Sequence, residues 1–238
     1  MISIVYNQPW QLTTKKIPDK YFDWVIDDFP YGINVGNMSY LKADVFVKQK
    51  NGNKLNSRKN QKRHKLKEWD LQAPTQCYFD EMVRISKNQI LFGIEYVDWN
   101  GVGSGRIKWN KGVAQGMSFS QYEIAYCSSI NHTHEIDLLW SGMMQAKNLS
   151  EPMSQQGNKK FNEKRVHPCQ KPVLLYKRLA LDFNLKGKKI YCAHNGSGSD
   201  RIAFNDYVSE FIANEIDEEY FLLQENRYKN HISNYKLF

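Results

Sequence analysis

Two carboxylates, Asp27 and Asp28, end the apolar run Phe22 to Asp28, and the turn-prone segment Phe29-Pro30-Tyr31-Gly32 follows at once. The run reads as a buried strand, so the carboxylates stand at its carboxyl end, where open α/β sheets bind ligands. Strand alternation turns Asp27 to the side opposite Asp28. A second constellation lies late in the chain. It comprises a strand Lys188 to Ala193, the loop His194-Asn195-Gly196-Ser197-Gly198-Ser199, a helix from about Asp200 to Tyr207 and a strand Phe211 to Glu215. Small residues let the backbone approach a bound molecule, and Glu215, seventeen residues after Gly198, is placed to accept both hydroxyls of a ribose. This is the pattern of a nucleoside-cofactor site, and the missing third glycine counts against a dinucleotide dehydrogenase.

The elements that must position these groups are legible as alternating strands and helices. A helix is expected from Pro74 to about Lys87, strands at Gln89 to Gly93, Arg106 to Trp109 and Tyr122 to Cys127, a helix over Pro172 to Phe183, and a closing helix from Asp217. Gly101, Gly103 and Gly105 read as a flexible connection. The 238 residues are expected to form a single α/β domain with two elaborations, a basic arm at 39–70 and a polar excursion at about 131–166.

Charge is concentrated in the arm. The formal net charge is +8, and Val45 to Lys67 carries nine basic residues with no Asp or Glu: Lys48, Lys50, Lys54, Arg58, Lys59, Lys62, Arg63, Lys65 and Lys67. Such a run suits a polyanion, because cations that neutralise phosphates release condensed counterions. Cys77, Cys127, Cys169 and Cys192 are scattered without a Cys-x-x-Cys pair, and His132 and His134 have no third ligand in sight, so neither a disulfide framework nor a metal site is expected. The longest apolar stretches are strand-sized and the first ten residues lack the features of a secretory signal, so the expectation is a cytoplasmic protein with no membrane segment.

Asp28-Phe29-Pro30-Tyr31 resembles the D-P-P-Y motif of amino-methylating DNA methyltransferases, with Phe29 in place of the first proline. Arg165 to Pro172 (RVHPCQKP) is similar to that family's H-P-T-Q-K-P segment. Ile190 to Ala203 (IYCAHNGSGSDRIA) is similar to the D-T-H-x-G-S-G-S-x-R-I-A cofactor loop of its phage-type members, and Glu215 to Phe221 to its acidic motif. Weaker matches at Arg84 to Ile90, Trp109 to Lys111 and Leu139 to Gly142 extend the resemblance over most of the chain. The catalytic motif precedes the cofactor loop, which is the order of the β class.

The resemblance implies a Rossmann-like, mostly parallel, mixed sheet of seven strands with helices on both faces, and S-adenosylmethionine as cofactor. It implies a catalytic set of Asp28, Phe29, Pro30 and Tyr31, in which Asp28 and the Phe29 carbonyl engage an exocyclic amine while Tyr31 stacks on a base rotated out of duplex DNA. Gly196, Ser197, Gly198, Ser199 and Glu215 would surround the cofactor, with Gln170 and Lys171 lining its methionine end. Adenine is the expected target and cytosine the nearest alternative. Oligomeric state is left open between monomer and homodimer. Cys192 stands where the family pattern has Asp, Ala193 where it has Thr, and Asn195 where it has an apolar residue. The family's acid braces the cofactor loop or the methionine amino group, and a neutral thiol does neither well. Weakened cofactor affinity, or a DNA-binding protein that has lost activity on the same scaffold, follows as the alternative expectation.

Overall fold

A computed structural model describes residues 1–34, 47–48, 54–55, 70–117 and 120–235, with 47–48, 54–55 and 234–235 described as backbone only. Eight strands form the central sheet: β1 (Ile2–Tyr6), β2 (Phe22–Asp28), β3 (Ser86–Phe92), β4 (Arg106–Asn110), β5 (Tyr122–Cys127), β6 (Thr133–Asp137), β7 (Lys189–Cys192) and β8 (Glu210–Asn214). Their order across the sheet is β1-β8-β7-β2-β3-β5-β4-β6. All neighbours are parallel except β5, which runs antiparallel to both β3 and β4.

The sheet therefore has eight strands where the resemblance implied seven. The sequence reading found neither β1 nor β6, the two edge strands. Each buries only one of its five residues, so neither carries the apolar run by which the inner strands are recognised. The strand β6 also shortens the polar excursion expected from about 131, because 133–137 belongs to the sheet. Beyond it the chain makes a two-residue antiparallel pairing of 140–141 with 144–145 and then a largely irregular path to 172.

Helices cover both faces of the sheet. On one face α2 (Gln76–Ile85) buries Tyr78, Phe79, Met82 and Ile85 against Phe22, Val25 and Leu91. On the other, α3 (Val173–Asp182) buries Leu175, Tyr176, Leu179 and Ala180 against Trp24, Ile90 and Ile190, together with Phe204 of the short α4 (Ser199–Phe204). A fully buried Leu such as Leu179 contributes about 1.5–3 kcal/mol through burial alone. The short α1 (Trp10–Thr14) and the long α5 (Glu218–Tyr235) flank the β8 side. Among the described residues no helix is long and apolar enough to cross a membrane.

Parallel strands β2 and β7 lie side by side, yet the chain leaves them in opposite directions. From β7 it passes through α4 to β8 on one side, and from β2 through α2 to β3 on the other. The carboxyl ends of β2 and β7 thus flank a topological switch point, the place where an open α/β sheet offers a crevice. Of the arm's nine basic residues, Lys48 and Lys54 are opposite each other in the antiparallel pairing of 47–48 with 54–55. Lys50, Arg58, Lys59, Lys62, Arg63, Lys65 and Lys67 lie outside the described residues.

Candidate active site

The crevice holds the residues singled out in the sequence. A cavity of about 460 Å³ is lined by Trp10, Asp28, Pro30, His194, Gly196 and Glu215, among others, and a smaller one of about 40 Å³ continues past Asp28 toward Asn195, Ser197, Ser199 and Asp200. A third, of about 320 Å³, opens on the other side of Tyr31 and is walled by Tyr96, Trp109, Trp140, Glu123 and Lys171. Asp28 lines the first two, and Lys171 and Tyr31 bring the third to the same carboxylate.

Asp28 points to the Trp24 and Ile26 side of β2, and both of its hydrogen bonds run to Oδ1. The Tyr31 hydroxyl donates at 2.7 Å and the Lys171 ammonium donates alongside it. Burial pushes the Asp28 carboxyl up; Lys171 opposes that rise and Glu123 adds to it, leaving the group above the ordinary carboxylate range. Lys171 also contacts Glu123 Oε2 at 3.0 Å. Burial raises Glu123 as well, but Lys171 and Lys111 outweigh it and hold the carboxyl at about 2, so Glu123 stays ionised and fixes the ammonium between two acids.

Phe29 is fully buried and packs edge-on against Tyr78 and Phe79, with ring centroids 5.8 and 5.5 Å away. An aromatic plug thus replaces a proline without disturbing the turn. Tyr31 stacks on Tyr96 at 4.9 Å and 12°. It rests against Gly93, whose φ is +84°, and a Cβ at Gly93 would overlap the Tyr31 ring. Gly32 follows with φ +73° and donates its N–H to Asp70 Oδ1 at 2.9 Å, which fastens the turn after Tyr31.

Gly196 and Gly198 both have positive φ, at +51° and +68°, which a residue without a Cβ adopts at no steric cost. At Gly198 a Cβ would also fall 3.1 Å from that of Gln224. Glu215, just beyond β8, accepts from Gly196 N at 2.7 Å and Asp217 N at 2.8 Å. A carboxylate has about four lone-pair sites, so two remain for hydroxyls in the cavity. Arg227 of α5 donates to the Ser197 carbonyl at 2.7 Å and to Ser199 Oγ at 2.9 Å, and pairs with Glu163.

Gln170 and Lys171 both line the small cavity, but their bonds lead elsewhere. Gln170 accepts from Val166 N and donates to Glu163 and to the Lys164 carbonyl, which ties down the end of the polar excursion. Lys171 belongs to the Asp28 carboxylate. That pairing, the ring support from Gly93 and Tyr96, and the acid Glu123 were not found in the sequence, since each depends on contacts across the sheet.

Asp27 faces the opposite side from Asp28, as alternation requires, and reaches across to the end of β7. Its carboxylate accepts from His194 N at 2.8 Å and Cys192 Sγ at 3.2 Å, and bonds His194 Nδ1 at 2.7 Å and the Tyr78 hydroxyl. Burial disfavours charge on both members, yet mutual attraction wins: Asp27 lies below the ordinary carboxylate range and His194 above the ordinary imidazole range. Cys192 is buried, with its thiol pushed well up by burial and by the neighbouring Asp200 and Asp27. His134, by contrast, sits on β6 and bonds Asp182 at 2.8 Å, far in sequence from the site.

No protein family and no curated protein matches the chain. Solved structures do. The PvuII DNA methyltransferase (cytosine-N4-specific) superposes with a TM-score of 0.51 at 10% identity, covering 96% of this chain and 86% of that one. The M1.HpyAVI–SAM complex gives 0.49 at 17% identity over 95% of this chain and 100% of that one. TTHA0409 of Thermus thermophilus, complexed with S-adenosyl-L-methionine, gives 0.48 at 11% identity over 97% and 96%. The chain therefore has the mixed, mostly parallel α/β fold of S-adenosylmethionine-dependent methyltransferases, as the sequence implied, with the PvuII enzyme as the match that carries this conclusion.

Proposed function

We propose that this protein is a DNA methyltransferase that moves a methyl group from S-adenosylmethionine to the exocyclic amine of adenine in duplex DNA. The observation that supports it most is the meeting of two cavities at one acceptor carboxylate, Asp28, at the carboxyl end of β2. The residues of the nucleoside-side cavity suit that cofactor: bare glycine backbone at 196 and 198, Glu215 with acceptor capacity left for ribose hydroxyls, and the buried Asn195 Oδ1, which has no hydrogen-bond partner among the described residues. The cofactor, when bound, supplies an electrophilic methyl group on a sulfonium.

An aromatic amine is a weak nucleophile because its lone pair is delocalised into the ring. Asp28 raises its nucleophilicity by accepting an amine hydrogen at Oδ2, the oxygen that Tyr31 and Lys171 leave unbonded. The Phe29 carbonyl is the second acceptor in this reading. As the new N–C bond forms, the amine gives up a proton, and the raised Asp28 carboxyl is suited to take it. Tyr31, Tyr96 and Trp140 offer aromatic faces to a base turned out of the helix. Positioning and fixed charge contribute most of the acceleration.

The cytosine amine is the second reading, drawn from the fold shared with a cytosine-N4-specific enzyme. The same acceptor set serves either amine. The basic arm is the proposed contact with DNA phosphates. Substituting Asp28→Ala tests the proposal: methyl transfer should vanish while S-adenosylmethionine still binds in calorimetry. Retained transfer overturns the role of Asp28.

A further inference from the structure

Cys192 removes an acid from the end of β7, and two other acids flank the vacated position. Asp27 approaches from β2 and takes the loop backbone through His194 N and the thiol through Cys192 Sγ. Asp200 approaches from α4. It is 3% exposed and accepts from Asn195 Nδ2 at 2.9 Å and from its neighbour's backbone, Arg201 N, at 2.8 Å. Asp200 and Asn195 both line the 40 Å³ cavity that continues from the nucleoside side past Asp28.

Two features of this pair point to a cation as occupant. The Nδ2 bond to Asp200 fixes the Asn195 amide, which leaves Oδ1 as an acceptor, and that oxygen is buried without a hydrogen-bond partner among the described residues. Asp200 has no ion-pair partner among them either: Arg201 turns away to Glu225, and Arg227 pairs with Glu163. Burial pushes the Asp200 carboxyl up to about 7 despite the bonds from Cys192 and Arg201 N, and Asp27 adds to the rise. A buried carboxylate and a buried amide oxygen with capacity to spare, beside a volume suited to a small polar group, are complementary to an ammonium.

On the cofactor reading above, we infer that Asp200 and Asn195 together hold the α-ammonium of the methionine moiety, so that the family's single acid is divided in this chain. Asp27 braces the loop and Asp200 takes the amine. Neither residue reacts; both position the cofactor.

The test compares S-adenosylhomocysteine with its deaminated analogue, in which hydrogen replaces the amino group, by calorimetric titration of the full-length protein. The wild type should bind the amino compound about tenfold or more tightly than the analogue, as expected for a buried charge-assisted bond. Asp200→Asn should lose most of that difference while binding the analogue unchanged. Asn195→Leu, which restores the apolar residue of the family pattern, should lose part of it. If wild type discriminates and both variants still discriminate equally, or if a folded variant loses both ligands alike, the assignment is overturned. If wild type binds neither compound, the cofactor reading itself fails and the assignment with it.

Discussion

Lys171 donates to the Asp28 carboxylate from 143 residues away in the chain, and the same ammonium contacts Glu123 at 3.0 Å. A base that must accept hydrogens is thus held by a cation wedged between two acids. Removing the cation as Lys171→Met takes away what opposes the burial of Asp28, so its carboxyl should rise further and be protonated at neutral pH. Transfer should fall by about 100-fold, and the acidic limb of the pH–kcat profile should move to higher pH. Lys171→Arg should recover part of the rate. A rate that falls with no movement of the limb would show that Lys171 only packs.

The Tyr31 ring depends on a residue that bears no functional group. A Cβ at position 93 would overlap it, so Gly93→Ala should displace the ring from Tyr96 and lower transfer at least about tenfold, with a rise in the DNA KM. Cofactor affinity should not change, because Gly93 lines neither nucleoside-side cavity. An unaltered KM would dissociate Tyr31 from base binding.

Asp27 and His194 predict a shape for stability against pH. Folded His194 lies above the ordinary imidazole range, because Asp27 outweighs the opposing effect of burial. Its contribution is complete below that range and lost as pH rises through the raised value. Folded Asp27 lies below the ordinary carboxylate range, since His194 outweighs burial, and its contribution is complete above that range and lost as pH falls through the lowered value. Urea unfolding should therefore show stability declining on both sides of a weakly acidic plateau. Asp27→Asn should cost about 3 kcal/mol on that plateau, and His194→Asn should flatten the alkaline decline. A decline on that side that persists in His194→Asn would assign it to another group.

Neutralising the arm's nine basic residues should weaken binding to duplex DNA and flatten its dependence on salt. The slope of log K against log salt should fall by up to about 0.9 for each DNA phosphate that is no longer neutralised. An unchanged slope would make the run a solubilising segment.

What the sequence revealed and what it hid follow from the range of the interactions. Strand β2, the turn after Asp28 and the loop from His194 to Ser199 were legible because each is a local pattern of apolar run, small residue and acid. The side to which Asp27 points was legible from alternation, but its partners were not, because they come from α2 and from the end of β7. Edge strands β1 and β6 were hidden by their mixed exposure. Cys192 suggested a missing acid, and Asp27 and Asp200 reach its vicinity only once β2, β7 and α4 are assembled.

The central claim is tested most directly by incubating the protein with labelled S-adenosylmethionine and unmethylated duplex DNA, then digesting the DNA and identifying the nucleosides by mass spectrometry. Label in methyladenine, carrying the methyl group on its exocyclic nitrogen, is the predicted result, and label in methylcytosine would transfer the same site to the other amine. No product on DNA of diverse sequence, together with no binding of the cofactor, would contradict the account and leave a DNA-binding protein on a methyltransferase scaffold.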